Sequence, residues 1–458
     1  MNEPIDTNTP NRTPANGIAI AAVIFLLTAF ESQGPFSTGW LLPTQVAHCQ
    51  EAKGDEVQSQ VTAKYWGHWR GPIGNGLSIT AQPPIEFGPS KNLTWQFEIP
   101  GRGSGSPIVW GENVFVTSAV PTGKGNELDF KLFCIDRASG KLRWEQSAVI
   151  AQPHERTHET NGFASASPCT DGELVYASFG SQGVFAFSMD GKPVWNRDFG
   201  NMRIRNGFGE GSSPTIVGEM LVVPWDHEGP SMLYALDKKT GKSVWETKRN
   251  EPTCWATPLI ASDSQGKLQI IMNGQNAARG YDLKTGDELW YCSGQTERPC
   301  ASAVSENGIA YVASGFRGAF IGAFDMNGRG NLQKTSHVLW TQDRDTPDVA
   351  SPLLVQGRIY YYKEKSGLLT CVDAKTGKPH YSASRVAGVA RTYASPVSAD
   401  GKVFLTDRNG NVVVIEEGTN LKILATNQVG EGVDATPALA GRQIFIRGEK
   451  HLFCFSNP

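Results

Sequence analysis

The sequence predicts an all-β fold: an eight-bladed β-propeller of four-stranded antiparallel blades, the last blade closed by an N-terminal strand. Three observations predict it. A Ser/Thr-Pro step opens a short apolar run at regular intervals, an acidic turn followed by Trp recurs behind the steps, and the final repeat is one strand short.

The steps are Ser106-Pro107, Ser167-Pro168, Ser213-Pro214, Thr257-Pro258, Ser351-Pro352, Ser395-Pro396 and Thr436-Pro437, with Ser302-Ala303 filling the one gap. Most lie 41 to 49 residues apart, and one interval is 61. A repeat of about 40–50 residues is the period of a propeller blade. Behind each step come two apolar strands split by a Gly turn, as in residues 107–116 (PIVWGENVFV).

A third strand then ends at an acidic residue and a tight turn leads to a Trp-bearing fourth strand. The turn reads DRASGKLRW from Asp136, DKKTGKSVW from Asp237, DLKTGDELW from Asp282 and DAKTGKPHY from Asp373, with a shorter DGKPVW from Asp190. Asp accepts hydrogen bonds from the turn backbone and Gly takes positive φ. The Trp is expected to pack between neighbouring sheets.

Seven full units run from Ser106 to about Asn427, and the last, from Thr436, contains three strands. The missing one is upstream: residues 92–99 (NLTWQFEI) match the Trp-bearing strand through Trp95. Closure by that strand removes the open sheet edges.

Ahead of the ring, residues 1–49 read as a signal peptide or N-terminal anchor, 50–91 as a linker and lead-in, and 92–458 as the propeller. The segment from Gly17 to Phe30 (GIAIAAVIFLLTAF) is short for a membrane span and suits the apolar core of a signal peptide. Ala47-His48-Cys49 offers small residues at cleavage offsets but is a poor lipobox, since His48 precedes the cysteine. The protein is therefore expected to be exported, periplasmic or extracellular, touching a membrane only through this segment if it is retained. A net charge of −3 argues against nucleic acid or an anionic membrane as partner.

Cys134, Cys371 and Cys454 occupy a repeat position held elsewhere by Ala235, Ala323 or Gly280, which marks a small core site. Cys292 and Cys300, eight residues apart across a loop, form the candidate disulfide.

The Asp-x-x-Thr-Gly-Lys-x-x-Trp turn with its Ser/Thr-Pro opening resembles the repeat of the pyrroloquinoline-quinone-like propeller superfamily. That group includes quinoprotein alcohol dehydrogenases and the propeller lipoprotein of outer-membrane protein assembly. Trp66-Gly-His-Trp69-Arg70-Gly71-Pro72, followed by Asn75-Gly76, is similar to the lead-in of secreted planctomycete-type members. The dehydrogenase resemblance implies a planar quinone beside a metal ion, a carboxylate base and an adjacent cysteine pair. This chain contains no Cys-Cys and no Cys-x-x-Cys-His. No cofactor is therefore expected, with pyrroloquinoline quinone kept as the alternative.

In a four-stranded blade the loop into the first strand and the loop between the second and third share one rim. Residues five before the Pro position on that rim include Arg102, Arg298 and Arg391, and those three before it include Trp255, Tyr393 and Asp434. The three arginines either bridge blades, by pairing with acids such as Asp348 and Asp434, or bind an anionic or carbonyl-rich ligand. The 61-residue interval places its extra length here, with His154, His158, Glu159, Asn161 and Phe163. The spacing of His154 and His158 allows a metal site, but ordinary rim polarity is the plainer reading and no metal is expected. Asp226-His227-Glu228 reads as a solvated turn or, alternatively, as a general acid/base pair. The candidate binding set is Arg102, His158, Asn161, Asp226, Trp255, Arg298, Arg391 and Tyr393, with no catalytic residue. The expected function is that of a monomeric, non-catalytic scaffold or ligand-binding module of the cell envelope, meeting an envelope protein or a small ligand on this rim. The alternatives are a quinone-dependent oxidoreductase and a saccharide-binding propeller.

Overall fold

The computed structural model describes residues 63–457. The apolar segment from Gly17 to Phe30 and the candidate cleavage site at Ala47-His48-Cys49 lie outside the described residues. No helix among the described residues is long and apolar enough to cross a membrane.

Each repeat folds as one four-stranded antiparallel sheet, and there are eight among the described residues. Blade 1 runs Ile108–Trp110, Asn113–Pro121, Leu128–Asp136 and Leu142–Ala151. Blade 8 is composite: Ala438–Ala440, Gln443–Arg447 and His451–Ser456 are completed by Leu93–Glu98. That strand pairs antiparallel with the last, from Leu93 opposite Phe455 to Glu98 opposite His451. Two blades gain a short parallel strand, Leu77–Ser78 on blade 7 and Gly330–Asn331 on blade 4.

The two marks of the repeat meet between successive blades. In the turn, Asp237 Oδ1 accepts the Thr240 N–H and hydroxyl at 2.8 and 2.7 Å. Asp136 and Asp373 hold Ser139 and Thr376 likewise. The outer-strand Trp of one blade then donates its indole N–H to the carbonyl after the next blade's Asp. Trp95 reaches Arg137 O (2.9 Å), Trp195 reaches Lys238 O (2.8 Å) and Trp340 reaches Ala374 O (2.9 Å). The ring lies on the turn glycine: a Cβ on Gly140 or Gly241 would stand 2.6 Å from Trp95 or Trp195. Gly is required here for positive φ and for room. The exception is Trp290, which turns inward and bonds Gln269 Oε1 at 2.9 Å. Trp95 and Trp290 are buried, while Trp144, Trp195, Trp245 and Trp340 are half-buried at the seams.

On the inner side, the hydroxyl of each Ser/Thr-Pro step accepts the backbone N–H at the matching position of the blade before. The series runs Ser106 to Ser167, Ser167 to Ser213, Ser213 to Thr257, Thr257 to Ser302, Ser302 to Ser351, Ser351 to Ser395 and Ser395 to Thr436, all at 2.8–3.1 Å. The eighth junction, where the chain ends meet, is crossed by Arg447. Its buried guanidinium leaves blade 8 to bond Gly105 O (3.1 Å) and Thr117 O (2.6 Å) of blade 1. Burial without a carboxylate pushes its pKa down to about 10.

The lead-in is part of the ring. Residues 66–82 cross the lumen at the end away from the Ser/Thr-Pro steps and touch every blade in order. Trp66 O accepts Val109 N (2.8 Å) of blade 1 and Gly67 O accepts Thr170 N (2.8 Å) of blade 2. His68 Nε2 meets Thr215 Oγ1 of blade 3 at 3.0 Å, and Leu259 of blade 4 lies against Gly74. Asn75 exchanges side-chain bonds with Ser305 of blade 5 at 2.8 and 3.0 Å. Asn75 O then takes Leu354 N of blade 6, Gly76 O takes Ser398 N of blade 7, and Gln82 N donates to Gly441 O of blade 8. Arg70 is fully buried in this plug, at φ +65°, bonded to the carbonyls of Asn75 (3.0 Å) and Pro352. Burial pushes its pKa down to about 9.

Cys134, Cys371 and Cys454 are fully buried, as the repeat position predicts. The candidate Cys292–Cys300 pair is not joined: both thiols are free. Cys292 packs in the core between blades 4 and 5, its thiol against Ser293 O. The intervening loop carries Cys300 to the lumen, its thiol against Arg298 O.

Two outcomes test this architecture. Deletion through Ile99 leaves blade 8 with an open edge, so aggregation and loss of a cooperative melt are expected by size exclusion and circular dichroism. Trp66→Ala removes the fully buried indole of the plug and should cost about 3–5 kcal/mol in urea unfolding.

Candidate functional site

With one end of the lumen plugged, the other is a blind well. Its cavity is about 340 Å³. Its walls are two rings formed by the segment that leads into the first strand of each blade. The lower ring is the hydroxyl set, with Ser106, Ser167, Ser213, Thr257, Ser395 and Thr436 facing the cavity. Two residues earlier in each blade comes the upper ring: Ser104, Ser165, Gly211, Trp255, Cys300, Val349, Tyr393 and Asp434. All eight blades contribute at this one offset. Trp69, from the plug, also lines the well.

The offset five before the Pro position does not behave this way. There the chain has already left the strand to pair with a neighbouring strand or loop, as in the bridges Arg102 with Ala119, Pro347 with Glu364 and Arg391 with Ser366. Arg102 is exposed and its guanidinium bonds Glu159 O. Arg391 is exposed, with its guanidinium 5.6 Å from the Tyr393 ring centroid and 3.4 Å from its hydroxyl. Of the three arginines, Arg298 alone lines the well.

None of the three pairs with Asp348 or Asp434. Those acids are taken by cations from neighbouring loops: Lys365 Nζ is 3.0 Å from Asp348, and Arg408 grips Asp434 with two bonds of 2.6 and 2.9 Å. Arg408 also lies 4.2 Å from the Tyr393 ring centroid, which holds that ring against the wall.

The inserted loop forms one side of the mouth together with residues 199–212. Asn161 Nδ2 donates to Phe208 O at 2.9 Å, Thr157 Oγ1 to the same carbonyl at 3.3 Å, and His154 Nε2 meets Met202 O at 2.7 Å. His158 faces the well, edge-on to Phe208 with centroids 5.4 Å apart, its Nδ1 2.9 Å from Thr160 Oγ1. His154 and His158 thus serve different contacts and do not converge. Trp255 donates to Gly209 O at 2.7 Å, which ties the upper ring to the same loop. Behind this wall Glu210 accepts the Ser181 N–H at 2.7 Å, and burial raises its carboxyl pKa.

Asp226 is neither a solvated turn nor an acid/base group of the well. It is 5% exposed and accepts two bonds from the buried Arg249 guanidinium, at 2.7 and 2.9 Å. Arg249 in turn bonds the Tyr281 hydroxyl of blade 4 at 2.7 Å, so the pair links blades 3 and 4. His227 is also buried, its Nδ1 accepting the Arg203 N–H at 3.0 Å.

His158, Asn161, Trp255, Arg298 and Tyr393 are therefore brought together, and Arg102, Arg391 and Asp226 are not. Trp69, Phe208 and Lys365 complete the wall and were not expected from sequence. The offset three before the Pro position, read for Trp255, Tyr393 and Asp434, gives the upper ring when it is carried through all eight repeats. Trp69 was visible in the lead-in motif, but nothing local says that this segment enters the lumen.

Eight four-stranded blades joined by Trp-on-Gly seams define a quinoprotein-type propeller. The sequence model of the family described as outer membrane protein assembly factor BamB matches residues 90–206, 181–331 and 329–457, and the chain belongs to that family. The chain is also 42% identical to the quinoprotein alcohol dehydrogenase PedE of Pseudomonas putida over 65 residues, 14% of this chain and 9% of that protein's length. Among solved structures, BamB from Moraxella catarrhalis aligns over 80% of this chain and 99% of its own, with TM-score 0.53. Quinohemoprotein alcohol dehydrogenase from Comamonas testosteroni aligns over 90% and 83%, with TM-score 0.60. Both are 11% identical, a likeness that shows the fold alone.

Asp226→Ala would leave the Arg249 charge buried without its counter-ion. A loss of about 3–5 kcal/mol is expected in thermal or urea unfolding. The same substitution should leave ligand binding in the well unchanged wherever the protein remains folded.

Proposed function

We propose that this protein is an exported, non-catalytic binding propeller of the cell envelope whose blind well takes a small, polyhydroxylated ligand of saccharide type. The observation that carries the reading is the convergence of eight equivalent backbone positions on one well. Its size falls at the lower end of the roughly 300–1,000 Å³ typical of small-ligand sites. Trp69, Phe208, Trp255 and Tyr393 supply aromatic surface, and the lower ring supplies hydroxyls for a polar ligand. The envelope location rests on the apolar N-terminal segment and on the likeness to BamB.

The second reading, a quinone-dependent oxidoreductase, is favoured by the likeness to PedE. Its donor set is a poor match. A metal-bound quinone needs unengaged oxygen donors, and the two acids of the well are each paired to a cation. No group of three or more His, Cys, Asp or Glu side chains is placed to hold a metal among the described residues. Cys300 stands in the wall without a cysteine neighbour, and burial pushes its thiol pKa up to about 12.

Titration of mono- and disaccharides against intrinsic Trp fluorescence tests the proposal, because Trp69 and Trp255 both line the well. Saturable quenching is expected, lost in Trp255→Ala and retained in Lys242→Ala and Lys378→Ala on the opposite rim. Binding that survives Trp255→Ala and fails in the far-rim variants would place the site elsewhere.

A further inference from the structure

The well is one-sided in its hydrogen-bonding character. Each hydroxyl from Ser167 to Thr436 in the lower ring already accepts a backbone N–H from the blade before. A hydroxyl has one proton to donate. No acceptor for these protons is found among the described residues. The cavity end nearest the plug is therefore encircled by O–H donors that still need an acceptor.

Arg298 stands above them, and among the described residues no carboxylate pairs with it. The other two cations of this region, Lys365 and Arg408, are bound to Asp348 and Asp434. The Arg298 guanidinium lies 3.3 Å from the Phe316 ring centroid and 4.9 Å from that of Phe208. Its Nε is buried and has no hydrogen-bond partner. The backbone is held at φ +45°, a left-handed conformation unfavourable to a side chain of this size, with its N–H tied to Gln275 Oε1 at 3.1 Å. Strain of this kind, together with a buried guanidinium nitrogen that has no partner, persists where a ligand supplies the missing partner.

Building on the saccharide reading, we infer that the well selects acidic sugars, with Arg298 taking the carboxylate and the hydroxyl ring donating to the sugar oxygens. A planar guanidinium fork matches a carboxylate with two parallel bonds, and the Phe208 and Phe316 rings beside it limit where that fork can move. Exposed Arg102 and Arg391 at the mouth add a positive field that draws anions in. A neutral sugar would leave Arg298 unpaired and lose that term.

The test compares D-galacturonate with its methyl ester, the same sugar without the charge, by calorimetry on the whole mature chain. D-galactose serves as the neutral reference. Wild type should prefer the acid by about tenfold or more at low salt. Arg298→Gln should erase the preference while leaving the weaker neutral binding. Arg298→Lys should restore part of it, with circular dichroism confirming the fold in each variant. Equal affinity for acid and ester, or an unchanged preference in Arg298→Gln, overturns the inference and leaves the saccharide reading standing. If no sugar binds wild type, the saccharide reading itself fails. Preferential capture of free quinone would favour the oxidoreductase reading and overturn both.

Discussion

The ring rests on one hydroxyl at the head of each blade. Innermost strands of neighbouring blades belong to separate sheets and share no ladder hydrogen bonds with one another. A Ser or Thr at this position lets the backbone N–H of one blade find an acceptor on the next without disturbing either ladder. The following Pro lacks an N–H and so adds no unsatisfied donor at this crowded inner radius. At Ser302, where Ala replaces Pro, the hydroxyl bond persists at 2.8 Å, which identifies the hydroxyl rather than the ring as the essential element.

The same device shapes the site. A hydroxyl used as an acceptor toward its neighbour keeps a proton for the lumen, so joining the blades lines the cavity with donors. The plug makes the cavity blind, and Arg447 carries the joint where the chain ends meet. Two buried arginines, Arg70 and Arg447, bond carbonyls rather than carboxylates, and the pKa of each is lowered accordingly. Both sit where the N-terminal segment or the ring closure must be fastened, and a multidentate donor can gather several carbonyls at one point.

Much of the architecture was legible because the repeat states it many times over. Blade number, strand count, the composite eighth blade and the meeting of Trp with the next sheet all followed from spacing and turn chemistry. The site was legible in part. Trp255 and Tyr393 line the well at the offset read from the repeat, and Asn161 and His158, to which the length anomaly of the inserted loop pointed, line it as well. Arg102 and Arg391 share the sequence position of Arg298, yet their chain turns out to bridge a neighbouring strand or loop before reaching the lumen. Asp226 looked like a solvated turn because its partner, Arg249, is 23 residues away on another strand. The Cys292–Cys300 pairing failed for a related reason, since eight residues of separation say nothing about which of two faces each thiol adopts.

By itself the sequence determined what is local and periodic: which residues turn, which strands alternate, where Trp and Gly must coincide, and that an upstream strand completes the last blade. Only the tertiary structure decided that the lead-in enters the lumen, that Trp69 faces the well, and that Lys365 and Arg408 neutralise Asp348 and Asp434 while Arg298 is left without an acid. Those outcomes depend on contacts between residues far apart in the chain. They are set by the curvature of the closed ring, which brings eight equivalent positions to one axis and which no single repeat encodes.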